Sequence, residues 1–265
     1  MTILAESFSM LEPAWMGWSA SNRRNCETEA SSEMASAAQA SLELRGGEMH
    51  GFSRADILGR YRRYRNLRMD IQTAALESIP HSSFLAHARR IGLSDGKVLF
   101  TDDTVELSLA FDLAVYTASA GRTRAIDRCA RRRLPASKSD EALVLEALQG
   151  SRFSIFRTIG RCEPAGVLLE DLMRGGAIPL VDEGLEQSAE PGAVFAMRVA
   201  PIEEFVITCG AVVPIDHATM EGCIALLISA ASKAELAALA DHRRFAVSIY
   251  ELAIELGLMN FVDYR

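Results

Sequence analysis

The 265-residue chain has no Cys-x-x-Cys pair. Its five cysteines are Cys26, Cys129, Cys162, Cys209 and Cys223, an odd number with no two closer than 14 residues. That spacing excludes a disulfide framework and points to a reducing cytoplasm. The five histidines, His50, His81, His87, His217 and His242, never stand four apart. No metal site is therefore expected, and no cofactor. Gly92-Leu-Ser-Asp-Gly-Lys97 is one residue short of a P-loop and has Val98 where Ser or Thr would hold magnesium. A helix end followed by a turn explains it better. Gly-x-Ser-x-Gly and the dinucleotide fingerprint are also missing. The longest apolar stretch of the C-terminal part runs from Cys223 to Ala231 before Lys233 and Glu235 interrupt it. A membrane span needs roughly 20 such residues. No charged start followed by an apolar run marks a signal peptide. No membrane partner is expected.

Charge is plentiful but unevenly placed. The net charge is −7, which argues against a wholesale nucleic-acid binder. Residues 51–135 nevertheless carry 15 Lys+Arg against 9 Asp+Glu, and residues 151–265 carry 9 against 16. The halves have either different jobs or a mutual attraction.

Strands concentrate at 152–214, in five short runs cut by turn signals. Glu163-Pro164-Ala165-Gly166, Arg174-Gly175-Gly176 and Pro191-Gly192 separate them, and Pro214 ends the last. Pro179 demotes the third run towards an edge. Phe195, Met197 and Val199 share a face, as do Phe205, Ile207 and Cys209. Five strands in about 60 residues predict a small SH3-like or OB-like barrel.

Helical patterns lie on both sides. Ser53 is placed to cap a helix with Ile57, Tyr61, Tyr64 and Ile71 in one arc, stopped by Pro80. Ser82 or Ser83 caps the next, and Gly92 ends it. Asp103 and Glu106 stand at capping-box spacing before a third helix. A very basic helix from Arg122 to Arg133 and another opening at Ser137 to Asp140 complete that half. Beyond the strands, Asp216, Ser232 and Asp241 each open a helix. The fold class is α+β, with a tail at 1–50, basic helices at 51–150, the barrel at 151–215 and C-terminal helices at 216–265. The tail has no clear period, and Trp15 and Trp18 form a small apolar cluster with its methionines. Met49 immediately precedes the first good helix start, which raises the hypothesis that translation begins there.

Several stretches carry a resemblance. Ala110-Phe-Asp-Leu-Ala-Val-Tyr116, Gly121-Arg-Thr-Arg-Ala-Ile-Asp-Arg128, Asp140-Glu-Ala-Leu-Val-Leu-Glu146 and Leu180-Val-Asp-Glu-Gly-Leu185 resemble those of an alphaproteobacterial family of unknown function, over residues 49–220. The strand region is loosely similar to the barrel that accompanies SEC-C zinc motifs. The chain ends Leu258-Met-Asn-Phe-Val-Asp-Tyr-Arg265, without that motif's Cys and His ligands, so zinc does not carry over. The resemblance implies no activity.

Three groups of residues could carry chemistry. Arg60, Arg62, Arg63, Arg65 and Arg68, with Arg131, Arg132 and Arg133, are candidates to contact nucleic acid or a protein partner. Guanidinium groups pair with phosphate, and the interleaved Tyr61 and Tyr64 could stack on bases. The alternative is a solvated helical surface that pairs with the acidic half. Asp112 stands in an apolar run, so it needs a cation. Arg122, Arg124 and Arg128 follow closely, and a structural ion pair with one of them is expected; acid–base catalysis is the minority reading. Cys209, with His217 nearby, could be a nucleophile, but a strand cysteine usually serves as a small hydrophobe. The chain therefore reads as a non-enzymatic binding or regulatory protein whose basic helices form the contact surface, possibly for nucleic acid. A protein–protein adaptor or self-associating protein is the alternative, and an enzyme using Asp112 with an arginine is the third.

Overall fold

The computed structural model describes residues 51–118, 122–133 and 135–261. The expectations for the tail, including Trp15, Trp18 and Met49, lie outside the described residues. The architecture is α+β, with nine α-helices and five strands among the described residues. Five helices come first: α1 Arg54–Glu77, α2 His81–Arg90, α3 Thr104–Tyr116, α4 Ala125–Arg133 and α5 Asp140–Gln149. The strands are β1 Arg152–Arg161, β2 Val167–Asp171, β3 Ala177–Leu180, β4 Val194–Ile202 and β5 Phe205–Pro214. A short helix, α6 Glu183–Ser188, lies between β3 and β4, and α7 Ala218–Ala230, α8 Lys233–Asp241 and α9 Phe245–Glu255 follow the sheet.

The strands pair in the closed order β1-β2-β3-β5-β4. All pairings are antiparallel except β3 with β5, which run parallel and meet at the single pair Leu180↔Val206. The parallel closure departs from an all-antiparallel SH3-like plan and follows the OB-like alternative. Pro179 sits opposite Leu168 of β2, and β3 is not the edge strand its proline suggests: it lies between β2 and β5, meeting β5 only at its last residue.

Side chains alternate across the sheet and sort into three cores. Phe156, Val167, Leu169, Ile178, Leu180, Met197, Val199 and Val206 fill the interior of the ring. On its outside, Phe153, Ile155, Ala196, Ala211 and Val213 pack with residues of α2, α3, α7, α8 and α9. Ala200, Phe205, Ile207 and Cys209 pack with α1, α3, α4 and α5. The helices before and after the strands are thus built onto the ring rather than strung beside it.

Capping explains most helix starts, and also the departures from expectation. Ser53 and Asp56 form a full capping box on α1, as do Ser232 and Glu235 on α8. Asp103 caps α3 through the Val105 amide without Glu106 completing a box. α2 starts directly after Pro80, a turn earlier than Ser82 or Ser83 would place it. His217, not Asp216, caps α7. Asp241 ends α8, and α9 begins only at Phe245.

Two hydrogen-bonded turns matter for the surface. Gly166, at φ +98°, follows the β1–β2 turn, and a Cβ there would lie 2.2 Å from the Leu180 carbonyl oxygen. Between α2 and α3, Asp95 Oδ1 accepts from the Lys97 and Val98 amides at 2.7 and 2.9 Å, and Ser94 Oγ donates to the Val98 carbonyl at 2.7 Å. Residues 97–100 belong to no named strand and make only the isolated bridge Ser94↔Leu99. Leu99 turns toward the core while Val98 and Phe100 face solvent, 57% and 64% exposed.

Candidate functional site

α1 is the obvious candidate surface, and its arginines point mostly at the protein itself. Arg54 forks onto Glu186 at 2.6 and 3.0 Å and donates to the Pro164 carbonyl at 3.1 Å. Arg60 bonds Glu203 at 2.8 Å and also Glu204, with its guanidinium 4.3 Å from the centre of the Phe52 ring. Arg62 holds Glu183 through two nitrogens, at 2.6 and 3.2 Å. Arg63 reaches Asp140 at 3.1 Å. Arg68 is buried and donates to the Thr208 carbonyl at 2.8 Å. One turn on, Gln72 donates to Tyr116 Oη and to the Cys209 carbonyl. Both carbonyls lie where the β4–β5 register shifts.

The two tyrosines are spent in the same seam. Tyr61 Oη donates to Asp182 at 3.3 Å and Tyr64 Oη donates to Glu203 at 2.7 Å. Burial, then the neighbouring carboxylates, holds both phenols well above their ordinary range. For Arg60, burial opposes the charge, but Glu204 and Glu203 outweigh it and the net direction is upward. Glu203 pays for its place in backbone conformation: it sits at φ +51°, unusual for a residue with a side chain.

The remaining basic candidates divide. Arg133 pairs with Glu141 at 2.8 Å. Arg65, Arg131 and Arg132 are exposed and make no direct acidic contact among the described residues. Arg65 stands on the α6 side of α1, where its charge is felt by Glu183, whereas Arg131 and Arg132 belong to α4. The eight arginines therefore form no single open patch: five are engaged with partners elsewhere in the chain, and the three free ones are split between two helices.

Asp112 finds a different partner from the three arginines after it. Arg198 Nε donates to its Oδ1 at 2.9 Å and Nη2 to its Oδ2 at 3.1 Å. Arg124 instead forks onto Asp127 and donates to the Gln149 carbonyl, all at 2.8 Å. Arg128 donates to the Thr123 carbonyl at 2.6 Å, and Arg122 is exposed. The reason lies in helix geometry. Side chains on a helix lean toward its N-terminus, so Asp112 leans away from the segment that follows Tyr116. Arg198 meets it from the outer face of β4, where Ala196 and Ala200 stand two residues to either side. Rings of Tyr116 and Phe153 flank the guanidinium, at 4.7 and 5.8 Å. A lone arginine between alanines in an apolar strand is the signal that sequence reasoning could have used.

Neither of two surface clefts contains Asp112. One, of about 460 Å³, lies among α1, α4 and α5 and is lined by Asp70, Glu77, Arg133 and Glu141 with Leu67, Thr73 and Ala74. The other lies between the end of β1 and residues 186–191. Nor is a thiolate favoured. Burial pushes the Cys209 and Cys162 thiols up to about 11, the opposite of what a nucleophile needs. His217 is occupied as the α7 cap.

A family model matches residues 55–257, most of the chain and all of the ring. The chain belongs to DUF7986, a family of unknown function. No curated protein and no solved structure matches it. The DUF7986 match begins one residue into α1 and runs through α9, so the α1 arginines from Arg60 onward, the acidic loops and the Asp112–Arg198 pair lie within it.

Proposed function

We propose that this DUF7986 protein is a non-enzymatic binding protein that acts through protein–protein contact, in the cytoplasm. One observation carries the reading. Apart from Arg65, the α1 arginines, which would have been the footprint for phosphate, are paired with carboxylates and carbonyls of the strand region, α5 and α6. In an OB-like ring the loops joining strands 1–2 and 4–5 usually take the ligand. Here α1 contacts both, through Arg54 to Pro164 and Arg60 to Glu203 and Glu204. The braced turn holds Val98 and Phe100, two of the large apolar side chains that stay open among the described residues. A rigid turn that presents two large apolar side chains loses little freedom on binding a partner. The thiols Cys129, Cys162, Cys209 and Cys223 suit a reducing compartment, and no described helix is long and apolar enough to cross a membrane.

Nucleic acid is the second reading, favoured by the free Arg65, Arg131 and Arg132. Two measurements separate the readings. Titration of labelled single- and double-stranded oligonucleotides across a salt series is expected to show no binding with a steep salt slope. Affinity purification after nuclease treatment is expected to retain a stoichiometric protein partner, or a second copy by light scattering, that Val98→Ser/Phe100→Ser releases. Oligonucleotide binding that falls with salt and is lost in Arg131→Ala/Arg132→Ala overturns the proposal in favour of nucleic acid.

A further inference from the structure

We draw no further inference here: the strongest candidate, the outer face of α7 around the exposed Leu226, is an unpartnered and largely apolar helix face, and nothing in the structure shows what covers it.

Discussion

Asp112 of α3 and Arg198 of β4, 86 residues apart in sequence, form a two-point ion pair at the border between two apolar cores. Burial disfavours the Arg198 charge, yet Asp112 more than compensates, and the net direction of its pKa is upward. Removing one partner leaves the other charged and buried. Asp112→Leu and Arg198→Met are each expected to cost about 3–5 kcal/mol. The pair Asp112→Leu/Arg198→Met should cost less than either single change, because no lone charge remains. Urea unfolding of the four proteins gives the coupling directly. A double variant less stable than both singles would show that packing, and not charge pairing, dominates at this position.

The α1 ion pairs differ in exposure, and their worth should follow. The side chains of Arg62 and Glu183 are 61% and 35% exposed, while those of Arg60 and Glu204 are 16% and 11% exposed. Arg62→Ala is expected to cost below about 1 kcal/mol, and less still in high salt. Arg60→Ala leaves two carboxylates without their shared donor and should cost about 2 kcal/mol or more. Thermal melts at low and high ionic strength would separate the two. Equal losses that respond equally to salt would count against the distinction.

His87 gives the fold an acid-side liability. It is 7% exposed on α2, and burial, then the Arg90 charge, lowers its pKa to about 4. Its unfolded value is near 6.5. The unfolded chain therefore binds more protons in that window, and stability falls as pH drops from about 6.5 toward 4. Above 6.5 the contribution is fully present. The loss should be about 1–2 kcal/mol, less than the full shift implies because the ring is incompletely shielded from solvent. Denaturant midpoints between pH 7.5 and 4.5 should fall more steeply in the native protein than in His87→Leu. Parallel slopes would remove His87 from the account.

Gly166 is the glycine whose replacement the backbone resists most plainly. Its φ is +98°, and an added Cβ would collide with the Leu180 carbonyl, which lies in β3 beside the ring's parallel closure. Gly166→Ala is expected to destabilise by about 3 kcal/mol or more, through strain and displacement together. Gly192→Ala, also at positive φ but with open space around it, is the comparison. It should lose only the conformational part, about 1 kcal/mol. Calorimetry on both variants distinguishes collision from conformation.

Local pattern was enough for much of this fold. The five strands, their turn residues and the Ser53 and Ser232 caps depend on neighbours within a few positions, which a sequence displays. The features that bear on the proposed function depend on distant partners. The charge asymmetry of the two halves was visible, but not whether the arginines met Glu183, Glu186, Glu203 and Glu204 or stayed in solvent. Asp112 showed its need for a cation; its position in the helix, rather than its nearness in sequence, selected Arg198. α6 escaped notice because its six residues are too few for a helical period to show, although Asp182 caps it through two amides. The solvent-facing Val98 and Phe100 look, in sequence, like any short apolar run.

The arginine row of α1 has a consequence for how the protein is made. Except for Arg63, whose partner Asp140 lies 77 positions later, the paired α1 arginines meet groups 110 to 144 residues downstream. At roughly 5–20 residues per second, these arginines are synthesised about 5–30 seconds before their partner groups exist. Throughout that interval α1 is a cationic amphipathic segment with Ile57, Tyr61, Tyr64 and Ile71 uncovered, beside a ribosome made largely of polyanion. The nascent chain is therefore a form in which these arginines all lack their folded-state partners at once.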